Sequence, residues 1–147
     1  MIDIQQVTDL RHLDKLAHIF DLYRQFYKQN GDINAAKLFL KERIVASESI
    51  IFAAFEDGTI VGFTQLYPTF SSVTLQRSWI LNDFFVLENQ RGKNVGTRIL
   101  EHTKDFARQT ESKGLYLQTD ADNPAQKLYE KLGWEKDMSL QYFWKVE

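Results

Sequence analysis

Apolar residues recur along this chain with two periods, one near 3.6 and one near 2, and the switches fall at turn residues. Ile2, Ile4 and Val7, on a run interleaved with polar residues, predict an opening strand, after which Thr8 or Asp9 offers a helix cap. Leu13, Leu16, Ala17, Phe20, Tyr23 and Tyr27 then share one helical face, and Asn30-Gly31 marks its end. A second helix from about Ile33 to Ala46 follows from Ala36, Phe39, Leu40 and Ile44. Ile50 to Phe55 and Ile60 to Tyr67 predict strands. The Asp57-Gly58 between them signals a hairpin, and Pro68 is expected to end the second strand because it has no N–H to donate.

Phe70 to Gln76 reads as a polar loop, and Trp79 to Leu87 as a buried strand with Asn82 and Asp83 set into it. Small and basic residues from Gln90 to Thr97 lead into a third helix with the stripe Ile99, Leu100, Thr103, Phe106 and Ala107. Leu115 to Thr119 predicts a short strand. Asp122-Asn123-Pro124 then opens a fourth helix that buries Ala125, Leu128, Tyr129 and Leu132 and closes at Gly133. Leu140 to Val146 predicts a last aromatic strand, with Tyr142, Phe143 and Trp144 in the core or at a dimer contact. The order β-α-α-β-β-β-α-β-α-β, with no repeat or linker, predicts one α/β domain over residues 1–147.

Composition narrows the function. The longest uninterrupted apolar stretch, Ile50 to Phe55, is far short of the roughly 20 residues that cross a bilayer, so no membrane span is expected. Met1 to Gln5 shows no basic and then apolar leader, which makes the cytoplasm the expected address. Zero cysteines exclude a thiol nucleophile and a thiolate metal site, and the scattered His12, His18 and His102 suggest no metal centre. Eighteen basic residues against twenty acidic give no basic footprint for nucleic acid.

The residues Arg91-Gly92-Lys93-Asn94-Val95-Gly96-Thr97, between a strand and a helix, can form an anion cradle. Small residues let the backbone approach a ligand, and the free N–H groups of the helix start point at it. A tight turn alone would also account for the glycine pair. Lys-Ser/Thr does not follow the last glycine and G-x-G-x-x-G is absent, which argues against a nucleoside triphosphate loop and a dinucleotide fingerprint.

With Asp83-Phe84-Phe85-Val86 before Arg91-x-x-Asn94-x-Gly96, and Ala125-x-x-Leu128-Tyr129-Glu130-Lys131-Leu132-Gly133-Trp134 after it, the whole chain resembles the GNAT superfamily of N-acetyltransferases. Asn82 to Val86 are most similar to spermidine/spermine acetyltransferases and to bacterial relatives of HPA-type enzymes. The resemblance implies a central, mostly antiparallel mixed sheet, splayed between its fourth and fifth strands and flanked by about four helices. It also implies acetyl-CoA as cosubstrate, no metal, and a homodimer.

Carried onto this sequence, the resemblance assigns the pantetheine arm to Phe84, Phe85 and Val86, with backbone pairing at Phe85 and Val86, and an oxyanion N–H to Phe85–Leu87. It assigns the pyrophosphate to Arg91, Gly92, Lys93, Asn94, Val95, Gly96 and Thr97. Asn94 replaces the usual middle glycine, and Asn is the non-glycine residue that best tolerates a left-handed backbone. Tyr129 matches the general acid for the departing thiolate, although helical packing could also place it there. Asn82 stands where polyamine enzymes carry an acid. Asp83 is then either a base or a structural acceptor, since neighbours on a strand face opposite ways. Asn123 or Asp122 caps the fourth helix, and Asn123 is a candidate cofactor contact.

For the acceptor, Tyr23, Phe26, Tyr27, Tyr67, Phe70 and Trp79 are candidate pocket residues, and Asp21, Asp32 or Glu42 could draw a cation. The expected reaction is direct acetyl transfer to a primary amine, on a small cationic molecule (polyamine-like or amino-acid-derived) in preference to a protein lysine or N-terminus. The alternative is a catalytically weak acyl-CoA-binding regulatory module.

Overall fold

The computed structural model describes residues 1–147. Strand β1 (Ile2–Gln6) precedes helices α1 (Leu13–Phe26) and α2 (Ile33–Val45). Strands β2 (Ile50–Glu56), β3 (Thr59–Ser71) and β4 (Gln76–Val86) follow. A 3-10 turn (Glu88–Gln90), α3 (Val95–Gln109), β5 (Leu115–Tyr116) and α4 (Ala125–Lys131) complete the order. The sheet runs β1-β2-β3-β4-β5, antiparallel throughout except for the parallel β4–β5 pair. This is the expected mixed α/β sheet with four α-helices.

The uninterrupted apolar run of β2 is explained by burial on both faces. Ile51, Ala53 and Phe55 pack with Leu16, Phe20 and Leu40 under α1 and α2. Phe52 packs with Leu100 and Tyr129, and Ala54 with Val95 and Ile99, under α3 and α4. The turn between β2 and β3 is the one the Asp-Gly pair predicts: Asp57 (φ 51) and Gly58 (φ 78) are both left-handed, as a type I′ hairpin requires. α3 lies close on the sheet because β3 carries Gly62, where a Cβ would stand 2.9 Å from Ile99 Cδ1.

Five expectations are corrected. Pro68 does not end β3. It pairs with Trp79 of β4 while β2 stops at Ile50 opposite Leu66, so its missing N–H lies on an unpartnered edge. The loop after it shrinks to residues 72–75, because Phe70 and Gln76 belong to the ladder. Neither Thr8 nor Asp9 caps α1: Asp9 accepts from the Arg11 backbone N–H at 3.0 Å, and His12 stands at the cap position of α1 with no side-chain bond. Residues 140–146 form no strand, and everything from Glu135 onward is exposed, because no edge of the chain's own sheet receives it. The fifth strand is also shorter than Leu115 to Thr119, since its ladder with β4 ends at Ile80–Tyr116.

Candidate active site

That early end of the β4–β5 ladder makes the site. Beyond Ile80 and Tyr116 the two strands part, and a cleft of about 520 Å³ opens between Leu81–Val86 on one wall and Leu117–Thr119 on the other. Its size is that of a small-ligand site. The Leu87 N–H donates to Val61 O at 2.9 Å, which by the alternation of an antiparallel ladder turns the backbone groups of Phe84 and Val86 toward the open edge. Leu87 therefore has no free N–H for an oxyanion, and Phe85 contributes its ring to the cleft while its backbone faces β3. The Arg91 Nε–H donates to Val86 O at 3.1 Å, and its guanidinium lies over the Phe85 ring.

At one end of the cleft the chain turns through two left-handed residues, Gly92 (φ 80) and Asn94 (φ 64), directly before α3. No side chain caps α3, so the N–H groups of its first turn are free for an anion. A Cβ on Gly96 would come within 3.1 Å of the Phe84 ring, so a glycine there lets the helix start sit against β4. Gly92, Asn94, Val95, Gly96 and Thr97 all line the cleft, whereas Lys93 does not. These features fit a ligand with a phosphate group.

At the centre, Tyr129 is buried between Phe84 and Trp134. Burial, with a smaller contribution from Tyr27, pushes its phenol up to about 12, so it remains a proton donor. Asn123 lines the cleft and holds its amide 3.4 Å from Tyr27 Oη. It is not the cap of α4, which is Pro124, but its Oδ1 accepts from Ala125 N at 2.9 Å across the turn that leads into the helix.

Asn82 and Asp83 separate as strand alternation requires. Gln65 pairs with Asp83 and Leu66 with Leu81, so Asn82 is an extra residue in a β-bulge at the mouth of the splay. Asn82 lines the cleft and Asp83 lies buried behind it. The Asp83 carboxyl accepts from Gln65 Nε2 at 2.5 Å and Asn82 Nδ2 at 3.0 Å, and Gln65 in turn accepts from Ser49 Oγ at 2.8 Å. Burial raises the Asp83 pKa against the opposing bonds from Gln65, Tyr23 and Asn82.

Tyr23, Phe26 and Tyr27 reach the cleft, while Tyr67, Phe70 and Trp79 do not. The candidate acids are committed elsewhere. Asp21 is buried and accepts the Asp32 N–H, Asp32 caps α2 at Ala35 N, and Glu42 pairs with Arg43. No carboxylate lines the cleft. Leu117–Thr119, Gln90 and Lys131 were not singled out from the sequence, and their only signal was position beside the splay and the fourth helix. His12 and His102 pack against Phe55 and Phe52.

The acetyltransferase (GNAT) family profile matches residues 16–134. A Bacillus subtilis (strain 168) protein named as the uncharacterized N-acetyltransferase YhfO is 46% identical over 129 residues, 87% of each chain. A crystal structure of a probable acetyltransferase superposes with TM-score 0.93 at 40% identity, covering 99% of this chain and 98% of that one. The aminoglycoside N-acetyltransferase AAC(6')-Iy in complex with CoA shares the fold at TM-score 0.80 and 20% identity, covering 99% of this chain and 95% of that one. An acetyl-CoA-dependent acetyltransferase is thus what both the cleft and the relatives describe, and the chain belongs to the acetyltransferase (GNAT) family.

Proposed function

We propose that this chain, acting as a homodimer in the cytoplasm, transfers an acetyl group from acetyl-CoA directly to the primary amine of a small cationic molecule, polyamine-like or amino-acid-derived. The observation that carries the reading is the buried Tyr129 phenol, set between the open edge of β4 and the uncapped start of α3. Acetyl-CoA supplies the activated acetyl thioester. The N–H groups of Gly92 and of residues 94–97 hold its phosphates, and Arg91 and Lys93 add positive potential around them. Phe84 and Val86 present backbone groups to the pantetheine arm, and the Val86 N–H stabilises negative charge on the acyl oxygen. Tyr129 donates the proton that the thiolate needs, and Asn123 contacts the cofactor arm. Asn82 orients the acceptor amine, held in place by Asp83 behind it, and water carries away the amine proton.

The aromatic wall of Tyr23, Phe26 and Tyr27 supports a cationic acceptor, since ring faces attract an ammonium group. So does the similarity of Asn82–Val86 to polyamine acetyltransferases, whereas a protein lysine or N-terminus would need a surface for the flanking peptide. One observation favours a weakly catalytic acyl-CoA-binding module instead: the cleft has no carboxylate, and Asn82 stands where a base would.

Thermal unfolding with acetyl-CoA, beside desulfo-CoA and ATP, separates the readings when paired with thiol release over an amine panel. Ligand that binds only the folded state raises the midpoint. We expect a rise with acetyl-CoA, little with ATP, and turnover with small diamines. Binding without turnover on any amine supports the module, and no shift at millimolar acetyl-CoA removes both.

A further inference from the structure

We propose that Tyr23 is a catalytic residue: its hydroxyl oxygen takes the amine proton in the cleft while its own proton passes to the Asp83 carboxylate behind it. This rests on the acetyl transfer proposed above and gives the proton a route to the water that finally carries it away.

The chemistry sets the need. An alkylammonium ion has a pKa of about 10.4, so the acceptor arrives protonated at neutral pH and cannot attack until a base strips it. Neither a carboxylate nor a histidine lines the cleft, but three phenols do, those of Tyr23, Tyr27 and Tyr129. The Tyr129 phenol feels only burial and Tyr27, and Tyr27 takes its hydrogen bond from Asn123. Tyr23 alone is bonded to a carboxyl, that of Asp83.

The β-bulge places the pair. Asn82 is its extra residue, so the next side chain on β4 turns back behind the wall, where Asp83 is 5% exposed. Tyr23 meets it from α1, its ring wedged edge-on between Phe63 and Phe85. Its hydroxyl has both the Asn82 carbonyl, at 3.3 Å, and the Asp83 carboxyl to donate to. The same side chain therefore touches the cleft and the buried acid.

Asp83 is held as a proton acceptor. Gln65 Nε2 and Asn82 Nδ2 donate to it at 2.5 and 3.0 Å, and the Ser49 Oγ bond to Gln65 Oε1 fixes which end of that amide faces the acid. With Tyr23 these make three donors and no acceptor, the surroundings of a carboxylate. No cation pairs with it. The titratable groups around it are the phenols of Tyr23 and Tyr27 on α1 and Tyr67 on β3. Burial without a counter-charge raises its affinity for a proton. Burial also pushes the Tyr23 phenol well above its ordinary range, so Tyr23 passes a proton on and does not stay ionised.

The step balances. As an ammonium N–H bond breaks, a new O–H bond forms on Tyr23 and the former hydroxyl proton joins an Asp83 oxygen. The freed lone pair on nitrogen attacks the thioester carbon, the C–N bond forms, and the C–S bond breaks with its electron pair on sulfur. The second proton that nitrogen sheds replaces the one Tyr129 gives to sulfur. Once the amide has left, Asp83 returns its proton through Tyr23 to water.

Thiol release by Tyr23→Phe and Asp83→Asn, in the full chain, tests the proposal on a small diamine and on its difluorinated analogue, whose neighbouring ammonium is far more acidic. Both variants should lose about 100-fold on the diamine. On the fluorinated amine, which arrives neutral, they should stay close to the parent chain. Circular dichroism and the acetyl-CoA thermal shift report folding and cofactor binding. Carbon-13 NMR of the Asp83 carboxyl, without ligand, is independent of turnover: in Tyr23→Phe its titration midpoint should move up, because the hydroxyl bond that lowers it is gone. Equal losses on both amines, no loss on the diamine, or an unchanged Asp83 midpoint each overturns the relay. A parent chain that releases thiol with no amine overturns the acetyl-transfer reading as well, whereas parent turnover that both variants retain overturns the relay alone.

Discussion

Asn94 stands where the backbone must be left-handed (φ 64), and it is the one site residue whose identity departs from the family loop. Asn94→Ala should cost up to about 1 kcal/mol, because alanine meets the same Cβ crowding in a left-handed backbone without the short polar side chain that lets asparagine tolerate it, and the acetyl-CoA thermal shift should shrink with it. Asn94→Gly should keep that shift, and parallel melting curves check both. For Tyr129→Phe the expectation is a fall in thiol release of about 10²-fold with cofactor binding retained, read by single-turnover assay beside the same melts. Asp83 carries a pH signature. Its folded pKa lies above its unfolded one, so between the two the folded state keeps a proton that the unfolded state has lost. Stability contributed by that proton is present below about pH 3.9 and declines as pH rises through the folded pKa. Urea titrations across pH should therefore show a decline that Asp83→Asn removes. Tyr129 was legible from its motif. The bulge at Asn82 was not, because the extra residue exists only by reference to the β3 register.

At the scale of elements, the turn from α1 to α2 hangs on Asp21, which the sequence offered only as one of several acids. Both its carboxylate oxygens accept the Asp32 N–H, at 3.1 and 3.0 Å, and Arg24 bonds it at 2.8 Å. Burial opposes its ionisation, but these bonds prevail and hold the carboxyl below its ordinary range. Asp21→Asn should destabilise by about 2–3 kcal/mol at neutral pH through loss of charged hydrogen bonds. That deficit is full above the unfolded pKa and fades as pH falls through the folded one, so acid titration of both proteins should bring their denaturation midpoints together. The helices were legible because their apolar stripes are local. Where β3 ends was not, since Pro68 is tolerated only because β2 stops short of it.

For the whole molecule, the two-sided sheet sets α1 and α2 against α3 and α4 and leaves the splay between β4 and β5 as the large opening. As a homodimer, the chain should melt at a temperature that rises with protein concentration, because association draws on the folded state alone. Calorimetry over a hundredfold dilution should show this, and a concentration-independent midpoint would mean that the chain unfolds as a monomer. The exposed Leu140 to Val146 row is where sequence and structure diverge most. A period-2 pattern says that a segment wants a sheet, but it does not say whose sheet.

The element order as far as α4, the family, the left-handed tolerance at Asn94 and the place of Tyr129 in the cleft follow from the sequence, because each depends on residues close together along the chain or on a short motif. Tertiary pairing decided the rest. It placed Asn82 in the cleft and Asp83 behind it, took Asp21, Asp32 and Glu42 away from any substrate, turned the Val86 N–H outward and left the last strand without a partner. The reason is that strand register and edge occupancy are properties of pairs of strands far apart in the chain, and a one-residue shift in either sends a side chain to the opposite face.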